Sequence, residues 1–262
     1  MTDGAPGEAE RAPAAHMKLA YRIIGPRSYI RHRAWRALRK ARDGHEGELK
    51  LLSAIVPRER IAVDVGANRG NYTFFLSRLA AGTIAYEPAP PMARFLREAK
   101  LKRVEVREAG VSNAGGALTY YVQFNAKGKP QYNVGHLGGG HPEGRTGIEM
   151  PVRVVRLDDE GLGDVGFIKI DVEGHEYEVI DGARALLTRC RPNLLVEILE
   201  GRGDRTAIAR NKTVQLLGEL GYEAYVFARG TLRPLSDAPL SDAVMNYIFL
   251  PRNGRAATET AR

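Results

Sequence analysis

Four ionisable side chains lie close together in the segment FIKIDVEGHE, residues 167–176, where an apolar run gives way to polar residues. They are Asp171, Glu173, His175 and Glu176. The apolar run predicts a strand buried on both faces, and acids at the start of a following helix are favoured by its dipole by ~0.3–1 kcal/mol. Four titratable groups at the carboxyl end of a central strand are also typical of a general-base site.

A second polar segment, DVGANRGNY at 64–72, follows the apolar run IAVDVG. Its glycines allow a sharp turn and a close approach to a ligand, at the strand end where open α/β sheets bind ligands. The glycine spacing differs from G-x-G-x-x-G, which argues against a bound pyrophosphate. The segment also lacks a Walker lysine, which argues against a P-loop. Glu87 lies at the end of the next predicted strand, where an acid accepts both hydroxyls of a ribose. An acid at the end of each of these two strands suits a cationic nucleoside without phosphates, such as S-adenosylmethionine.

Two kinds of element alternate along the chain and position these segments. Strands are predicted at 61–66, 83–88, 104–109, 165–171, 193–199, 222–227 and 245–250. Apolar residues at helical spacing follow the first two strands, and further helices are predicted over 175–189 and 206–220. This alternation predicts an α/β fold, in which helices cover a parallel sheet.

An insertion over 113–157 interrupts the alternation. Its ends, 117–124 and 151–157, read as a β-hairpin, and the loop between them contains seven glycines. A loop of this length is usually functional or mobile, and we expect it to act as a lid over an acceptor. Its candidate substrate-binding residues, by stacking and hydrogen bonding, are Tyr132, Asn133 and His136.

The charge of the chain is concentrated near its beginning. The whole sequence has 39 Lys+Arg and 31 Asp+Glu, a net charge of +8, and nine of the basic residues lie between His16 and Arg42, where there is no acid. The remainder carries 39 − 9 = 30 basic and 31 acidic residues, a net charge of −1. A near-neutral body argues against a nucleic-acid channel running over the whole surface.

The composition also suggests how the chain is divided. We predict a disordered leader over 1–15, a basic helical segment over 16–57, a catalytic domain over 58–251 and a flexible tail over 252–262. In the basic segment we expect one helix over 28–42, capped by Ser28, stopped by Gly44 and packed through Trp35 and Leu38, and a second over 48–56.

Three absences narrow the functional class further. The single cysteine, Cys190, forms no internal disulfide and builds no zinc cluster. No apolar run approaches the ~18 residues of a membrane span. Residues 1–16 have no apolar core of the kind found in signal peptides, so we expect a cytoplasmic protein.

Five motifs resemble a known family. DVGANRGNYT, YEPAP, VRLDD, FIKIDVEGHE and RPNLLVE are similar, in this order and spacing, to the FkbM family of S-adenosylmethionine-dependent methyltransferases, over roughly residues 45–250. The resemblance implies a class I Rossmann-like fold: a seven-stranded sheet of order 3-2-1-4-5-7-6, with the last strand antiparallel and helices on both faces. It also implies O-methylation of a sugar or another polar hydroxyl.

The resemblance assigns roles to particular residues. The expected cofactor-binding residues are Asp64, Gly66, Asn68, Gly70, Asn71, Tyr72, Glu87, Pro88, Ala109, Ser112 and Asp171. Our first choice of general base is His175, whose ordinary pKa needs little tuning. Asp171 and Glu173 are expected near the methyl group, and Glu197 near the acceptor. These last three could together bind Mg²⁺, but without a paired-aspartate motif we expect no metal.

Several alternatives stay open at this stage. The leading acceptor is a small molecule, a glycan or a glycolipid; the competing functions are an RNA methyltransferase and a cofactor-binding scaffold without activity. The basic segment reads as a solvated helix face, as a surface for an acidic acceptor or an anionic membrane, or as a nucleic-acid contact, which we favour least. A homo-oligomer formed through the N-terminal helices is also open.

Overall fold

Two sheets are built from twelve strands in the computed structural model, which describes residues 19–41, 47–138, 146–200, 204–228, 230–238 and 244–252. The strands are β1 (Ile61–Val65), β2 (Gly82–Tyr86), β3 (Val104–Arg107), β4 (Gly110–Val111), β5 (Gly116–Gln123), β6 (His136–Leu137), β7 (Gly147–Val155), β8 (Val165–Ile170), β9 (Asn193–Glu197), β10 (Tyr222–Ala228), β11 (Thr231–Pro234) and β12 (Asn246–Pro251). The predicted leader and, apart from Arg252, the predicted tail lie outside the described residues.

The larger sheet has the order β11-β10-β12-β9-β8-β1-β2-β3. Strands β3, β2, β1, β8 and β9 are parallel, and β12 runs antiparallel to both of its neighbours. From β3 to β10 this is the order 3-2-1-4-5-7-6 with an antiparallel seventh strand. The expected count of seven is wrong, because β11 pairs with β10 and adds an eighth strand at the edge.

The central strands are buried from both sides, as their apolar sequences predict. All six residues of β8 are buried, and four of the five in β1. Alternate residues of β1 enter different cores: Val63 and Val65 pack with the helices on one face, and Ala62 with those on the other. The two cores hold the sheet rigid, so that the ends of its strands are fixed points for a site.

The helices cover both faces of this sheet. They are α1 (Leu19–Lys40), α2 (Leu52–Ile55), α3 (Asn71–Leu79), α4 (Pro90–Glu98), α5 (Glu176–Asp181), α6 (Arg184–Cys190), α7 (Arg205–Arg210) and α8 (Lys212–Glu219). Two long helices predicted from the sequence are each divided in two: 175–189 becomes α5 and α6, and 206–220 becomes α7 and α8. The predicted helix 48–56 is divided between a 3₁₀ turn at Gly47–Leu51 and α2, which follows it directly. No helix in the described ranges is both long and apolar enough to span a membrane.

Helix α1 packs the basic segment onto the body. It bends at Gly25, which has a φ of 73°, and continues from Pro26, so the prediction that Ser28 caps it is wrong. Ile30 and Ala34 are fully buried. Trp35 contacts the domain only in part: its ring lies edge-on 5.7 Å from the Phe75 ring and stays 45% exposed. The predicted stop at Gly44 lies outside the described residues.

The insertion is more extensive than a hairpin. Strand β5 pairs antiparallel with β7 over its full length, and β4 and β6 complete a four-stranded sheet of order β4-β7-β5-β6. Strand β7 begins at Gly147, inside the predicted loop 125–150, and residues 139–145 of that loop are not described. The small sheet packs through Tyr120 and Val122 against Met92 of α4, which places it beside the carboxyl end of β2.

Candidate active site

A polar cleft lies at the carboxyl ends of β1, β2, β8 and β9. It consists of two cavities, of about 180 and 190 Å³, that share Gly66, Asn68 and Asp171 as wall residues. We call the first the acceptor-side cavity, because β5, β6 and the Tyr132 turn close it, and the second the glycine-turn cavity, because residues 66–72 form most of it. Together they form the cofactor cleft.

The turn after β1 can be built only with glycine at its first position. Gly66 has a φ of 79°, and a Cβ atom there would lie 1.9 Å from the main-chain oxygen of Asp171. The amides of Gly66 and Ala67 both donate to the oxygen of Tyr86, which ties the turn to β2. Gly70 serves packing instead: it caps α3 with a φ of 76°, and its added Cβ would meet Leu96 at 2.7 Å.

Glu87 is buried at the end of β2 and braces the turn. Its two carboxylate oxygens accept hydrogen bonds from the amides of Asn68, at 2.7 Å, and Ala89, at 2.9 Å. Burial raises the pKa of Glu87 to about 7. Each oxygen keeps a second lone pair, so the carboxyl can still accept a hydroxyl in the acceptor-side cavity that it lines.

A buried lysine organises the charges between β1 and β8. Lys169 is 2% exposed, and its Nζ donates to Asp171 at 2.5 Å and lies 4.7 Å from the centre of the Tyr72 ring. Burial opposes the charge of Lys169, but Asp171 and Asp64 outweigh it and raise its pKa. Burial likewise acts to raise the pKa of Asp171, and the lysine reverses this and lowers it. Asp64 accepts from the Thr73 hydroxyl at 2.6 Å, and its burial raises its pKa.

Three carboxyl groups meet on the acceptor side of this lysine. Asp171, Glu173 and Glu197 each offer an oxygen within 4.8 Å of the others. Burial, together with a hydrogen bond to Asp171, raises the pKa of Glu197 to about 9, so at neutral pH it is protonated and donates to that carboxylate. Burial raises the pKa of Glu173 to about 7, and its left-handed backbone, with a φ of 56°, turns this residue out of the strand.

This cluster can do two kinds of chemistry. Its oxygens are close enough to ligate one hard cation. Asp171, however, already accepts a hydrogen bond from the ammonium of Lys169 and is hydrogen-bonded to Glu197, and a cation would compete with both. Glu173 is the carboxyl whose pKa suits proton acceptance at neutral pH, since a general base works best near the operating pH.

His175 does not belong to the described wall of the cofactor cleft. It stands at the N-cap of α5, where its Nε2 lies 2.9 Å from the Ser112 hydroxyl and its Nδ1 lies 3.7 Å from Glu178. Burial lowers its pKa. Ser112, expected beside the adenine, is occupied by this contact, and the neighbouring Ala109, Gly110 and Val111 line the cavity instead.

The insertion supplies some of the expected substrate-binding residues. Tyr132 lines the acceptor-side cavity, and its carbonyl accepts from the Tyr120 hydroxyl at 3.3 Å. His136 stacks on Tyr121, with ring centres 5.6 Å apart, outside the described cavity wall. The side chain of Asn133 lies outside the description. Of the other expected residues, Asn71 and Tyr72 line the glycine-turn cavity, and Pro88 and Glu197 line the acceptor-side cavity.

Among the residues of this cleft that sequence reasoning missed are Lys169, Tyr120, Arg33 and Arg69. The signal for Lys169 was its position inside an otherwise apolar six-residue strand, since a buried lysine needs charged or hydrogen-bonding partners. Arg69 stands in the glycine-turn motif itself. Arg33 belongs to α1, which the motifs do not cover, and its spacing among eight other basic residues gave no signal.

Several features of the cleft fit S-adenosylmethionine. The Nε atoms of Arg33 and Arg69 and the side-chain oxygen of Asn71 are buried and have no hydrogen-bond partner among the described residues. All three side chains line the glycine-turn cavity. Burial and the nearby charge of Arg33 lower the pKa of Arg69, which indicates two cations side by side. A ligand with a carboxylate and an amino group at one end, and a ribose at the other, matches these arginines and the Glu87 carboxyl.

Comparison with known proteins identifies the family. The family model described as "Methyltransferase FkbM domain" matches residues 64–224, more than half of the chain. The 31-O-demethyl-FK506 methyltransferase FkbM of Streptomyces tacrolimicus is 31% identical over 154 residues, which is 47% of this chain and 58% of that protein. The 2-O-methyltransferase NoeI of Sinorhizobium fredii is 25% identical over 170 residues, 59% of this chain and 70% of that protein.

A solved structure of a methyltransferase FkbM from Methylobacillus flagellatus has 16% identity and a TM-score of 0.44, and the alignment covers 74% of this chain and 44% of that one. The family model carries the assignment, since its matched region runs from Asp64 to Ala224 and contains the glycine turn and the carboxyl cluster. The chain belongs to the FkbM methyltransferase family and is a methyltransferase whose cofactor is S-adenosylmethionine.

Proposed function

We propose that the enzyme transfers the methyl group to a hydroxyl of a sugar, a glycolipid or a similar polar natural product. The observation that carries this proposal is Glu173, a carboxyl with a pKa of about 7 on the wall of the acceptor-side cavity. A hydroxyl is a poor nucleophile until it loses its proton, so it needs such a base. The relatives NoeI and FkbM, whose names describe O-methyl transfer, support the same acceptor group.

The cleft residues hold the two ends of the cofactor. Glu87 accepts the ribose hydroxyls, and Arg33 and Arg69 face the carboxylate at the far end. S-adenosylmethionine supplies a methyl group already activated on a sulfonium. Alignment of that methyl with the acceptor is therefore the main task of the fold, and near-attack geometry contributes ~7–11 kcal/mol in well-oriented reactions.

Glu173 takes the proton of the acceptor hydroxyl in this mechanism. We propose it in place of His175, which is turned toward Ser112 and away from the described cleft wall. Glu197, protonated and bonded to Asp171, presents a polar group to the acceptor and keeps a second negative charge away from Glu173. General-base catalysis of this kind contributes ~10²–10⁴-fold in rate.

The test is methyl transfer from labelled S-adenosylmethionine to separated fractions of glycans, glycolipids and small polar metabolites. Glu173→Gln is the inactive comparison, and Glu59→Gln, an exposed residue just before β1 and so at the other end of the strand from the cleft, is the matched control. We expect label in an alkali-stable ether of a hydroxylated fraction, with Glu173→Gln lowering the rate ~10²-fold or more. Label in RNA or on nitrogen, or equal rates in both variants, would contradict the proposal.

A separate binding measurement distinguishes an enzyme from an inactive scaffold. S-adenosylhomocysteine should raise the melting temperature of the wild type and of Glu173→Gln alike, because the base does not hold the cofactor. Cofactor binding without transfer to any fraction would favour the scaffold.

A further inference from the structure

A second concave surface, remote from the chemistry, lies between α1, α3 and the turn before β3. It is a groove of about 570 Å³, larger than either cavity of the cofactor cleft. Five cations line it: Arg27, Arg31, Arg78, Lys102 and Arg103. We call this surface the basic groove. Its described wall contains no acidic residue.

The five cations of the basic groove are exposed and lack anionic partners within the described part of the chain. None of them forms a salt bridge with another described residue, although other exposed arginines do, as in the pairs Arg94–Glu98 and Arg97–Glu108. Arg78 lies over the Phe74 ring at 5.5 Å, which orients it along the floor of the groove. Cations that converge without counter-charges create a positive potential that attracts an anionic partner.

Helix α1 also carries exposed apolar side chains. Arg27, Arg31 and Trp35 are spaced four residues apart and so share one stripe of the helix. Trp35 is 45% exposed, and Ile24, just before the bend, is 46% exposed. Half of the large hydrophobic side chains that are exposed in the described structure therefore belong to this one helix, the others being Phe124 and Leu199.

We propose that the basic groove, with Ile24 and Trp35, is a docking surface for a membrane rich in anionic phospholipid. Exposed apolar side chains beside clustered basic residues are the pattern of helices that lie in the membrane interface, where the cations bind phosphate headgroups and the apolar groups enter the acyl boundary. Ile24 favours lipid over nucleic acid, because an exposed aliphatic side chain has no partner in a sugar-phosphate backbone. The apolar floor formed by Phe74 and Leu101 is consistent with the same partner.

The sequence provides a direct probe of this surface. Trp35 is the only tryptophan in the chain, so the intrinsic tryptophan fluorescence of the protein comes from this helix. Vesicles of phosphatidylcholine containing about one third phosphatidylglycerol should shift the emission to shorter wavelength and carry the protein in flotation. Pure phosphatidylcholine vesicles should do neither, and raising salt from ~0.05 M to ~0.5 M should release the protein.

Two variants with matched net charge separate the groove from overall basicity. Arg27→Gln/Arg31→Gln removes two cations of the groove, and Arg36→Gln/Arg39→Gln removes two exposed cations of α1 outside its described wall. We expect the first to lower vesicle partitioning about tenfold or more and the second several-fold less. All four side chains that are replaced are exposed, so the melting temperature should not change.

Three outcomes would overturn the proposal. Equal losses in the two variants would show that net charge alone attracts the protein. Flotation without a change in Trp35 emission would place the contact elsewhere. Tighter, salt-sensitive retention of RNA that also depends on Arg27 and Arg31 would assign the groove to nucleic acid. The binding test requires no turnover, so its failure is distinguishable from failure of the proposed O-methyl transfer.

Discussion

The carboxyl cluster of the cofactor cleft and the basic groove treat charge in opposite ways. In the cluster, Asp171 is paired with Lys169 and hydrogen-bonded to Glu197, because an unpaired charge in the interior is costly. In the groove, Arg27 and Arg31 stay solvated and unpaired, which costs little at a surface and keeps them available to a partner. Only two of the nine basic residues of segment 16–42, Arg27 and Arg31, line the proposed docking face, and its other three cations belong to the body, whose net charge is −1.

Helix α1 contributes to both regions. Arg33 lines the glycine-turn cavity, and Arg31 and Arg27, two and six residues earlier, line the groove. Ile30 and Ala34, buried between them, fix the helix on the domain. A segment outside the family motifs therefore lines the proposed cofactor site, and we expect its removal to weaken cofactor binding.

The largest effect is expected from Gly66→Ala, which tests whether the cleft is as rigid as its packing indicates. The new Cβ would lie 1.9 Å from the Asp171 oxygen and would sit on a backbone with positive φ. We expect loss of the melting-temperature rise on adding S-adenosylhomocysteine and a fall in unfolding free energy of about 2 kcal/mol or more. Gly128→Ala, at a φ of 65° with open space around it, carries the backbone strain alone and should keep cofactor binding.

A pH profile tests whether Glu173 is the general base of the proposed reaction. A base must be unprotonated, so the rate of transfer should rise with pH and level off above about 7, the raised pKa of Glu173. In Glu173→Gln the residual rate should be ~10²-fold or more lower and should lose this step. If the step survives in that variant and disappears in His175→Ala, the base is the histidine that the sequence suggested.

A smaller effect should come from Arg33, which tests whether α1 belongs to the cofactor cleft. Arg33→Met should weaken binding of S-adenosylhomocysteine about tenfold, since hydrogen bonds to charged groups contribute ~1.5–3 kcal/mol. Binding of 5′-methylthioadenosine, which lacks the amino-acid end, should not change. Arg36→Met, on the exposed side of the same helix, is the control. Equal weakening of both ligands would mean that Arg33 supports the fold and does not contact the carboxylate.

The sequence predicted the parts of this molecule whose physics is local. The apolar strands and their helical neighbours follow from periodicity, and Gly66, Glu87 and Asp171 were found because parallel strands bring their carboxyl ends to one edge. The direction of His175 depends on a tertiary contact with Ser112, 63 residues earlier, which no spacing shows. Likewise, the strands β11, β4 and β6 are too short to leave a clear period, and the role proposed for Arg33 arises only when α1 packs beside the glycine turn.

The smallest expected effect concerns coupling between the two regions. Coupling would require a second packing of α1 that a bound membrane could select, and we expect none because Ile30 and Ala34 are fully buried against the domain. We expect anionic vesicles to change the affinity for S-adenosylhomocysteine by less than ~2-fold, and the cofactor to change vesicle partitioning equally little. The measurement is a calorimetric titration with and without vesicles. Coupling free energies are reciprocal, so a larger effect of vesicles on the affinity for S-adenosylhomocysteine must be matched by an equal effect of the cofactor on vesicle partitioning. Such a matched change would show that α1 shifts on the membrane and carries Arg33 with it.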